Sequence, residues 1–86
     1  EFVLKQNYPN PFNPATTLVY QLPQAATVSL KIYDVLGREV ATLVNVRQAA
    51  GTYTAQFNAS KLSSGVYFYK LVAGAFVQTK KMLLVK

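Results

Sequence analysis

The 86-residue sequence contains no cysteine, no histidine and no tryptophan, and these absences exclude several kinds of chemistry. Without cysteine the chain can form neither a disulfide framework nor a thiolate metal site. Without histidine it lacks the commonest general base and metal ligand. The only carboxylate side chains are those of Glu1, Asp34 and Glu39. We therefore expect no metal, no cofactor and no enzymatic activity.

Acidic residues are scarce beside basic ones, since nine Lys and Arg give a formal net charge of +6. This balance favours contact with anionic surfaces, and it also keeps a small domain soluble. The basic residues are spread along the chain, so we expect no nucleic-acid partner. The longest uncharged stretch, residues 6–30, contains all four prolines, so we expect no membrane insertion. No secretory signal peptide opens the sequence, and we expect any such signal to lie upstream.

What the sequence has in quantity is β-branched and aromatic residues, which favour strands. From Thr16 onward apolar side chains alternate with polar ones, most cleanly at Val28, Leu30 and Ile32, and turn residues separate the runs. About seven short strands in a hairpin-rich order predict an all-β fold, an immunoglobulin-like antiparallel β-sandwich. We expect a single domain, with an extended strap over residues 1–15 and the sandwich over residues 16–86.

Proline and asparagine dominate the strap. Prolines fix φ and push the preceding residues toward extended backbone, so helix is excluded there. Tyr8 and Phe12 are predicted as its apolar anchors. The residues of this N-terminal motif are Asn7, Pro9, Asn10, Pro11, Phe12, Asn13 and Pro14.

Five residues are predicted to shape the turns. Asp34 opens a hairpin turn in which Gly37 takes positive φ, and Arg38 begins the returning strand. Gly65 and Gly74 mark two further changes of direction. Residues 47–51 and 58–65 are predicted as longer loops.

Two residue pairs could carry catalysis, but we assign neither. Asp34 and Glu39 flank the hairpin and could approach each other like a glycosidase pair, yet Asp34 is already needed for the turn. A Ser–Lys dyad, a nucleophile with its base, could come from Ser60 and Lys61 or from Ser63 and Ser64, but these serines lie among turn-forming residues.

Four segments resemble, in order, the type A C-terminal sorting domain of the type IX secretion system, also called the Por secretion system. Residues 6–16 (QNYPNPFNPAT) are similar to its opening motif, and residues 32–40 (IYDVLGREV) to its central hairpin. Residues 62–69 (LSSGVYFY) and 80–86 (KKMLLVK) are similar to its next block and its terminus. Together these segments run along essentially the whole chain.

The resemblance implies a sorting signal at the C-terminus of a protein secreted by Bacteroidetes or related bacteria. An upstream cargo domain would pass through the periplasm and reach the cell surface or the medium. The type IX outer-membrane translocon would recognise the sorting domain in folded form, and a sortase-like peptidase often removes it. Recognition in this family is tied to the last strand and its basic residues, which predicts contacts from Lys80, Lys81, Leu84 and Lys86.

The main alternative is a passive immunoglobulin-like spacer or a carbohydrate-binding module of a secreted hydrolase. Tyr33 and Phe68 could form a sugar-binding platform, although aromatic residues in small β-domains usually pack as cross-strand pairs. The terminal lysines also fit an ordinary edge strand protected from aggregation. An unpaired terminal strand leaves a strand-exchanged dimer possible.

Overall fold

The computed structural model describes residues 1–86 as seven β-strands joined by turns and loops. The strands are β1 (Val3–Leu4), β2 (Ala15–Leu22), β3 (Ala26–Tyr33), β4 (Glu39–Gln48), β5 (Gly51–Asn58), β6 (Gly65–Ala73) and β7 (Phe76–Leu84). They form two antiparallel sheets packed face to face, so the predicted all-β sandwich of about seven strands is confirmed. No helix in the structure is long and apolar enough to cross a membrane.

The two sheets differ in size and in how their strands are connected. The smaller sheet has the order β1-β2-β5, and the larger sheet has the order β4-β3-β6-β7. The hairpins β3–β4 and β6–β7 both lie in the larger sheet, while the chain crosses between sheets before β3, β5 and β6. The larger sheet therefore ends in β4 on one side and β7 on the other.

The core lies between the sheets and follows from the alternation of side chains along each strand. Because successive side chains of a strand point to opposite faces, every second residue of β2, β3 and β6 turns inward. Leu18, Leu30 and Leu71 are among the fully buried side chains, and one cluster unites both sheets. Tyr20 stacks on Tyr53 with ring centroids 5.5 Å apart, which ties β2 to β5.

Two expectations about local structure are wrong. The predicted loop over residues 47–51 shrinks to residues 49–50, because Arg47 and Gln48 extend β4 by pairing with Thr27 and Ala26. Tyr8 is not an apolar anchor, since its side chain is 80% exposed. The backbone of Tyr8 makes the contact instead, through two hydrogen bonds to Thr17 of 2.9 and 3.0 Å.

The two ends of the sandwich are built from different segments. At one end, called here the motif end, lie the hairpin turn at 34–38, the loop at 59–64 and the end of β7. At the far end lie the turns at 23–25, 49–50 and 74–75. All four segments that resemble the sorting domain have residues at the motif end.

Candidate functional site

The strap crosses one side of the sandwich and bonds to both sheets. Tyr8 pairs with Thr17 of β2, and four residues later Phe12 pairs with Leu84 of β7 in parallel orientation. The N–H of Phe12 donates to the carbonyl oxygen of Leu83 at 2.9 Å, and the N–H of Val85 donates to the carbonyl oxygen of Phe12 at 3.0 Å. The first and last motifs of the sequence therefore form one structural unit.

Side chains of the strap extend this contact along the edge of β7. Asn10 Oδ1 accepts a hydrogen bond of 3.0 Å from the N–H of Leu83, and Gln6 Nε2 donates one of 2.8 Å to the carbonyl oxygen of Lys81. Backbone groups alternate in direction along an antiparallel strand, so those of Val77 and Thr79 point away from β6. The strap thus covers the second half of the β7 edge and leaves the first half open.

A buried hydroxyl joins the strap to the larger sheet. Tyr69 of β6 is fully buried, and its hydroxyl donates to the carbonyl oxygen of Lys5 at 2.7 Å. The hydroxyl oxygen of Tyr69 in turn accepts a bond of 2.8 Å from the N–H of Asn7. Burial raises the pKa of Tyr69 to about 12, although the bond from Asn7 opposes the shift. The tyrosine hydroxyl therefore remains protonated and holds the strap through both its donor and its acceptor capacity.

A second polar network fixes the shape of the strap itself. Asn7 and Thr16 are the only buried polar residues, and Asn7 Nδ2 donates to Thr16 Oγ1 at 3.0 Å. Asn7 Nδ2 also donates to the carbonyl oxygen of Pro9 at 3.1 Å, and Thr16 Oγ1 donates to the same oxygen at 2.9 Å. No buried side-chain nitrogen or oxygen lacks a partner. Asn7 and Thr16 therefore satisfy one backbone group, the carbonyl oxygen of Pro9, that no strand of either sheet reaches.

Phe12 supplies the apolar part of the strap. Its side chain is buried, and its ring packs at a tilt against Phe57 of β5, with ring centroids 6.3 Å apart. Beyond it, the N–H of Ala59 donates to the carbonyl oxygen of Pro14 at 2.8 Å. The motif residues Pro9, Asn10, Pro11, Asn13 and Pro14 are exposed, so the strap presents prolines and amides to solvent around one buried ring.

The hairpin turn at 34–38 is held by one carboxylate. Asp34 Oδ1 accepts hydrogen bonds from the N–H groups of Leu36 and Arg38 at 2.9 and 3.0 Å. Its Oδ2 accepts a bond of 2.9 Å from Arg38 Nε. These donors, with the N–H of Arg38 first among them, lower the pKa of Asp34. Gly37 closes the turn with a φ of 81°, a left-handed conformation that favours glycine.

The other two glycines named from the sequence lie at opposite ends of the molecule. Gly65 opens β6 at the motif end, directly opposite Leu84 of β7. Gly74 lies in the β6–β7 turn at the far end, with a φ of 61°. Gly37 and Gly65 therefore shape the same end as the strap contact, and Gly74 does not.

The four residues predicted to contact the translocon do not share one surface. Lys80 and Lys81 are neighbours on β7, so their side chains point to opposite faces of the sheet. Lys81 is exposed on the outer face, whereas Lys80 is half-buried on the inner side. Leu84 has 0% exposure and packs in the core, so its side chain cannot meet a partner of the folded domain.

Lys86, the fourth of these residues, is bound to the loop at 59–64. Its N–H donates to Ser64 Oγ at 2.9 Å, and its Nζ donates to the carbonyl oxygen of Ser60. Its side chain is exposed at the motif end. These four residues were predicted together as one contact site. In the folded domain they lie on different surfaces, because neighbouring side chains of β7 point to opposite faces.

A family model described as a secretion system C-terminal sorting domain matches residues 6–86. The match begins within the strap, at Gln6, and continues through β7 to Lys86. The chain belongs to this family. Among curated proteins, none matches it.

Membership assigns the coarse function of the domain. A type IX sorting domain is a secretion signal, which implies export to the cell surface or the medium and interaction with the type IX system. The family is not a catalytic one. The resemblance of the four sequence segments to this family is confirmed.

The two carboxylates that flank the hairpin, Asp34 and Glu39, are each paired with a cation. Asp34 is bound by Arg38, and Glu39 lies 3.3 Å from Lys31 Nζ. A bond of 2.6 Å from Thr42 Oγ1 is the largest cause of the lowered pKa of Glu39, and Lys31 adds to it. A glycosidase needs one carboxyl group with a raised pKa as its general acid, and neither carboxyl group has one. No group of three potential metal ligands occurs either.

The aromatic pair considered for sugar binding lies on the outer face of the larger sheet. Tyr33 and Phe68 are directly opposite each other on β3 and β6, and both are half-buried. A groove of about 290 Å³ separates this pair from the hairpin turn. The two residues are thus cross-strand neighbours beside a turn, a common place for aromatic residues of a sheet.

The charges of the sheets are confined to one of them. The strands of the smaller sheet carry no charged residue. The strands of the larger sheet carry Lys31, Glu39, Arg47, Lys70, Lys80 and Lys81. The outer face of the larger sheet is therefore basic, and the strands of the smaller sheet present an uncharged outer face. Sequence reasoning missed this asymmetry because it depends on which strands share a sheet.

Proposed function

We propose that the type IX outer-membrane translocon recognises this sorting domain in folded form, through β7 and the strap that covers part of its edge. The observation that supports the proposal is that the terminal motif is part of the fold. Met82 and Leu84 are buried in the core, and Leu83 and Val85 are hydrogen-bonded to the strap. Presenting β7 as a free segment would expose apolar side chains and break these bonds, both at a cost in free energy.

The proposal gives the predicted contact residues different parts. Lys81 would contact the translocon directly, because it is exposed on the outer face next to the open half of the β7 edge. Lys80 would act from the other face of the same strand, and Lys86 from the motif end. Leu84 would act through the fold, by fixing β7 against the core.

The strap suggests where the remaining predicted partners act. The cargo domain would be joined upstream of the strap and pass through the periplasm with the sorting domain folded. The sortase-like peptidase would cut the segment between cargo and strap, because the strap itself is bonded to both sheets. A protease needs an extended, accessible segment, and these hydrogen bonds keep the strap from serving as one.

A secretion experiment tests recognition of the folded state. A reporter is fused upstream of residues 1–86 in a host with a working type IX system, and the exported fraction of the full-length fusion is measured. Leu18→Asp places a charge in the core at a fully buried position of β2 and should unfold the domain while leaving the sequence of β7 unchanged. Val19→Asp is the matched control, because Val19 lies on the outer face of the same strand.

The proposal predicts that the Val19→Asp fusion is exported like the unchanged domain and that the Leu18→Asp fusion stays in the periplasm. Circular dichroism of the two purified variants establishes which of them is folded. Export of an unfolded Leu18→Asp fusion would show that the translocon reads the linear sequence of β7.

Strand exchange between two copies stays a prediction. Exchange of β7 would remove Met82 and Leu84 from one core and break the bonds to the strap before new ones form. Size-exclusion chromatography of the chain over a range of concentrations measures the fraction of strand-exchanged dimer.

A further inference from the structure

The tip of the β3–β4 hairpin exposes two aliphatic side chains. Val35 is 65% exposed and Leu36 is 73% exposed. Turn positions of this kind are usually filled by glycine, proline, asparagine, aspartate or serine, which need no apolar neighbour. Neither side chain contributes to the core, so the fold does not require them to be apolar.

The exposed tip is held in place by hydrogen bonds rather than left free. The side chain of Asp34 binds the N–H groups of Leu36 and Arg38, and the N–H of Gly37 donates to the carbonyl oxygen of Asp34 at 3.0 Å. At the base of the turn, the N–H of Asp34 donates to the carbonyl oxygen of Arg38 at 3.0 Å. The backbone of such a turn loses little conformational freedom when a partner binds it.

The surface around the tip is concave and partly apolar. One groove, of about 290 Å³, lies between the tip and Phe68, and a second, of about 270 Å³, lies between the tip and Tyr67. The exposed side chains of Leu83 and Val85 lie at the same end of the sandwich.

The charges around the tip that are not paired within the chain are positive. Lys61, Lys81 and Lys86 are exposed at or near the motif end, and none of them forms an ion pair. The two acidic side chains of this region, Asp34 and Glu39, are already paired with cations of the same chain. A partner that approaches this end would be stabilised by acidic residues around its contact area.

We propose that Val35 and Leu36 form a docking anchor that enters an apolar pocket with an acidic rim on a protein partner. The proposal rests on the proposed function, and the partner is a component of the type IX translocon. A second copy of the chain fits poorly, because each copy carries a net charge of +6. A membrane surface also fits poorly, because two aliphatic side chains without an aromatic neighbour at the tip offer little area for insertion.

The test compares two exposed apolar sites in the secretion experiment. The anchor variant carries Val35→Ser and Leu36→Ser. The control variant carries Val46→Ser, a valine that is 55% exposed on β4, at the opposite edge of the larger sheet from β7. Thermal unfolding establishes that both variants fold. Leu36→Ala alone is the second test variant, since it leaves the backbone bonds of the turn unchanged.

The proposal predicts that the exported fraction falls about tenfold for the anchor variant, because apolar side chains buried at the centre of an interface carry much of its affinity. The control variant is exported like the unchanged domain. Equal export of anchor and control variants would overturn the anchor while leaving the proposed function standing. If the unchanged domain is not exported at all, both proposals fail.

A vesicle experiment separates a protein partner from a lipid surface. The purified 86-residue chain is sedimented with phosphatidylglycerol–phosphatidylcholine vesicles, together with the anchor and control variants. We expect the anchor and control variants to sediment equally. Sedimentation that the anchor variant alone loses would assign the tip to a membrane and overturn the protein partner.

Discussion

At the scale of single residues, Tyr69 shows how a buried polar atom can organise an irregular segment. Its ring lies in the core of the larger sheet, but its hydroxyl ends between two backbone groups of the strap. The strap has few ladder hydrogen bonds of its own, so the carbonyl of Lys5 and the N–H of Asn7 depend on this oxygen. The same residue therefore stabilises the core and places the N-terminal motif.

Removal of this hydroxyl should destabilise the domain. Tyr69→Phe leaves a buried N–H and a carbonyl oxygen without partners, at a cost of about 1–3 kcal/mol in the free energy of unfolding. Tyr53→Phe is the control, because the hydroxyl of Tyr53 bonds only to an exposed carbonyl oxygen of Ala49. Urea unfolding of both variants measures the difference. Equal costs would contradict the role given to Tyr69.

The contribution of Tyr69 should also depend on pH in a defined direction. Its pKa rises from the ordinary 10.0 to about 12 in the folded domain, so the folded state holds the proton more tightly than the unfolded state. The stabilisation is fully present below pH 10 and is lost as the pH rises through about 12. The gap in unfolding free energy between the unchanged chain and Tyr69→Phe should therefore narrow above pH 10. A gap independent of pH would contradict the burial of this hydroxyl.

Gly37 allows a second prediction at this scale. Its φ of 81° is left-handed, and no atom lies within 4 Å of the position that a Cβ would occupy. The cost of substitution thus comes from the backbone alone, about 1–2 kcal/mol for Gly37→Ala and more for the β-branched Gly37→Val. Asn is tolerated better in this conformation, so Gly37→Asn should cost least. Thermal unfolding checks this order, and an unchanged Tm in all three variants would contradict the turn geometry.

At the scale of elements, the contact between strap and β7 distinguishes this domain from a simple two-sheet sandwich. Edge strands expose unpaired backbone groups, and the strap covers those of Leu83 and Val85. The backbone of Phe12 bonds to this edge, and its ring is buried in the core. Core packing and edge protection therefore depend on one residue.

Loss of the Phe12 side chain should therefore be costly. Phe12→Ala removes a buried ring in contact with Phe57 and should cost about 3–5 kcal/mol in the free energy of unfolding. Tyr8→Ala is the matched control in the same strap, and its exposed ring should contribute within about 0.5 kcal/mol. Chemical denaturation of the two variants makes the comparison. Similar costs would mean that the strap does not pack as described.

The strands could be predicted from the sequence, but the strap contact could not. The alternation at Val28, Leu30 and Ile32 depends only on the neighbours of each residue, and it predicted β3 correctly. The pairing of Phe12 with Leu84 joins residues far apart in the sequence, and no local pattern encodes it. The exposure of Tyr8 was missed for a related reason, since it depends on the sheet that the strap follows at that point.

The predicted contact residues lie on different faces of the larger sheet for a physical reason as well. Lys80 and Lys81 are adjacent in sequence, but a strand turns neighbouring side chains to opposite faces. Once β7 is recognised as a strand, the sequence does predict that only one of them shares a face with Lys70. Which face is the outer one follows from the burial of Met82 and Leu84.

At the scale of the whole molecule, the basic residues of the larger sheet give the domain one charged side. If recognition uses the β7 end of this side, position should matter more than total charge. Lys81→Glu and Arg47→Glu change the net charge equally, and both residues lie on exposed parts of the larger sheet. We expect Lys81→Glu to lower the exported fraction in the secretion experiment and Arg47→Glu to leave it unchanged. Equal losses would indicate a general electrostatic attraction, without a contact at β7.

The most direct test of recognition in folded form is a competition between the whole domain and its terminal strand alone. A labelled 86-residue chain is bound to outer membranes from a host with a type IX system, and membranes from a strain without the translocon give the background. Unlabelled chain and a synthetic peptide of residues 76–86 are then added separately as competitors. We predict that the folded chain displaces the label and that the peptide does not, even at about 100-fold higher concentration. Displacement by the peptide at the same concentration as the chain would show that the strand alone is the signal and would contradict this account.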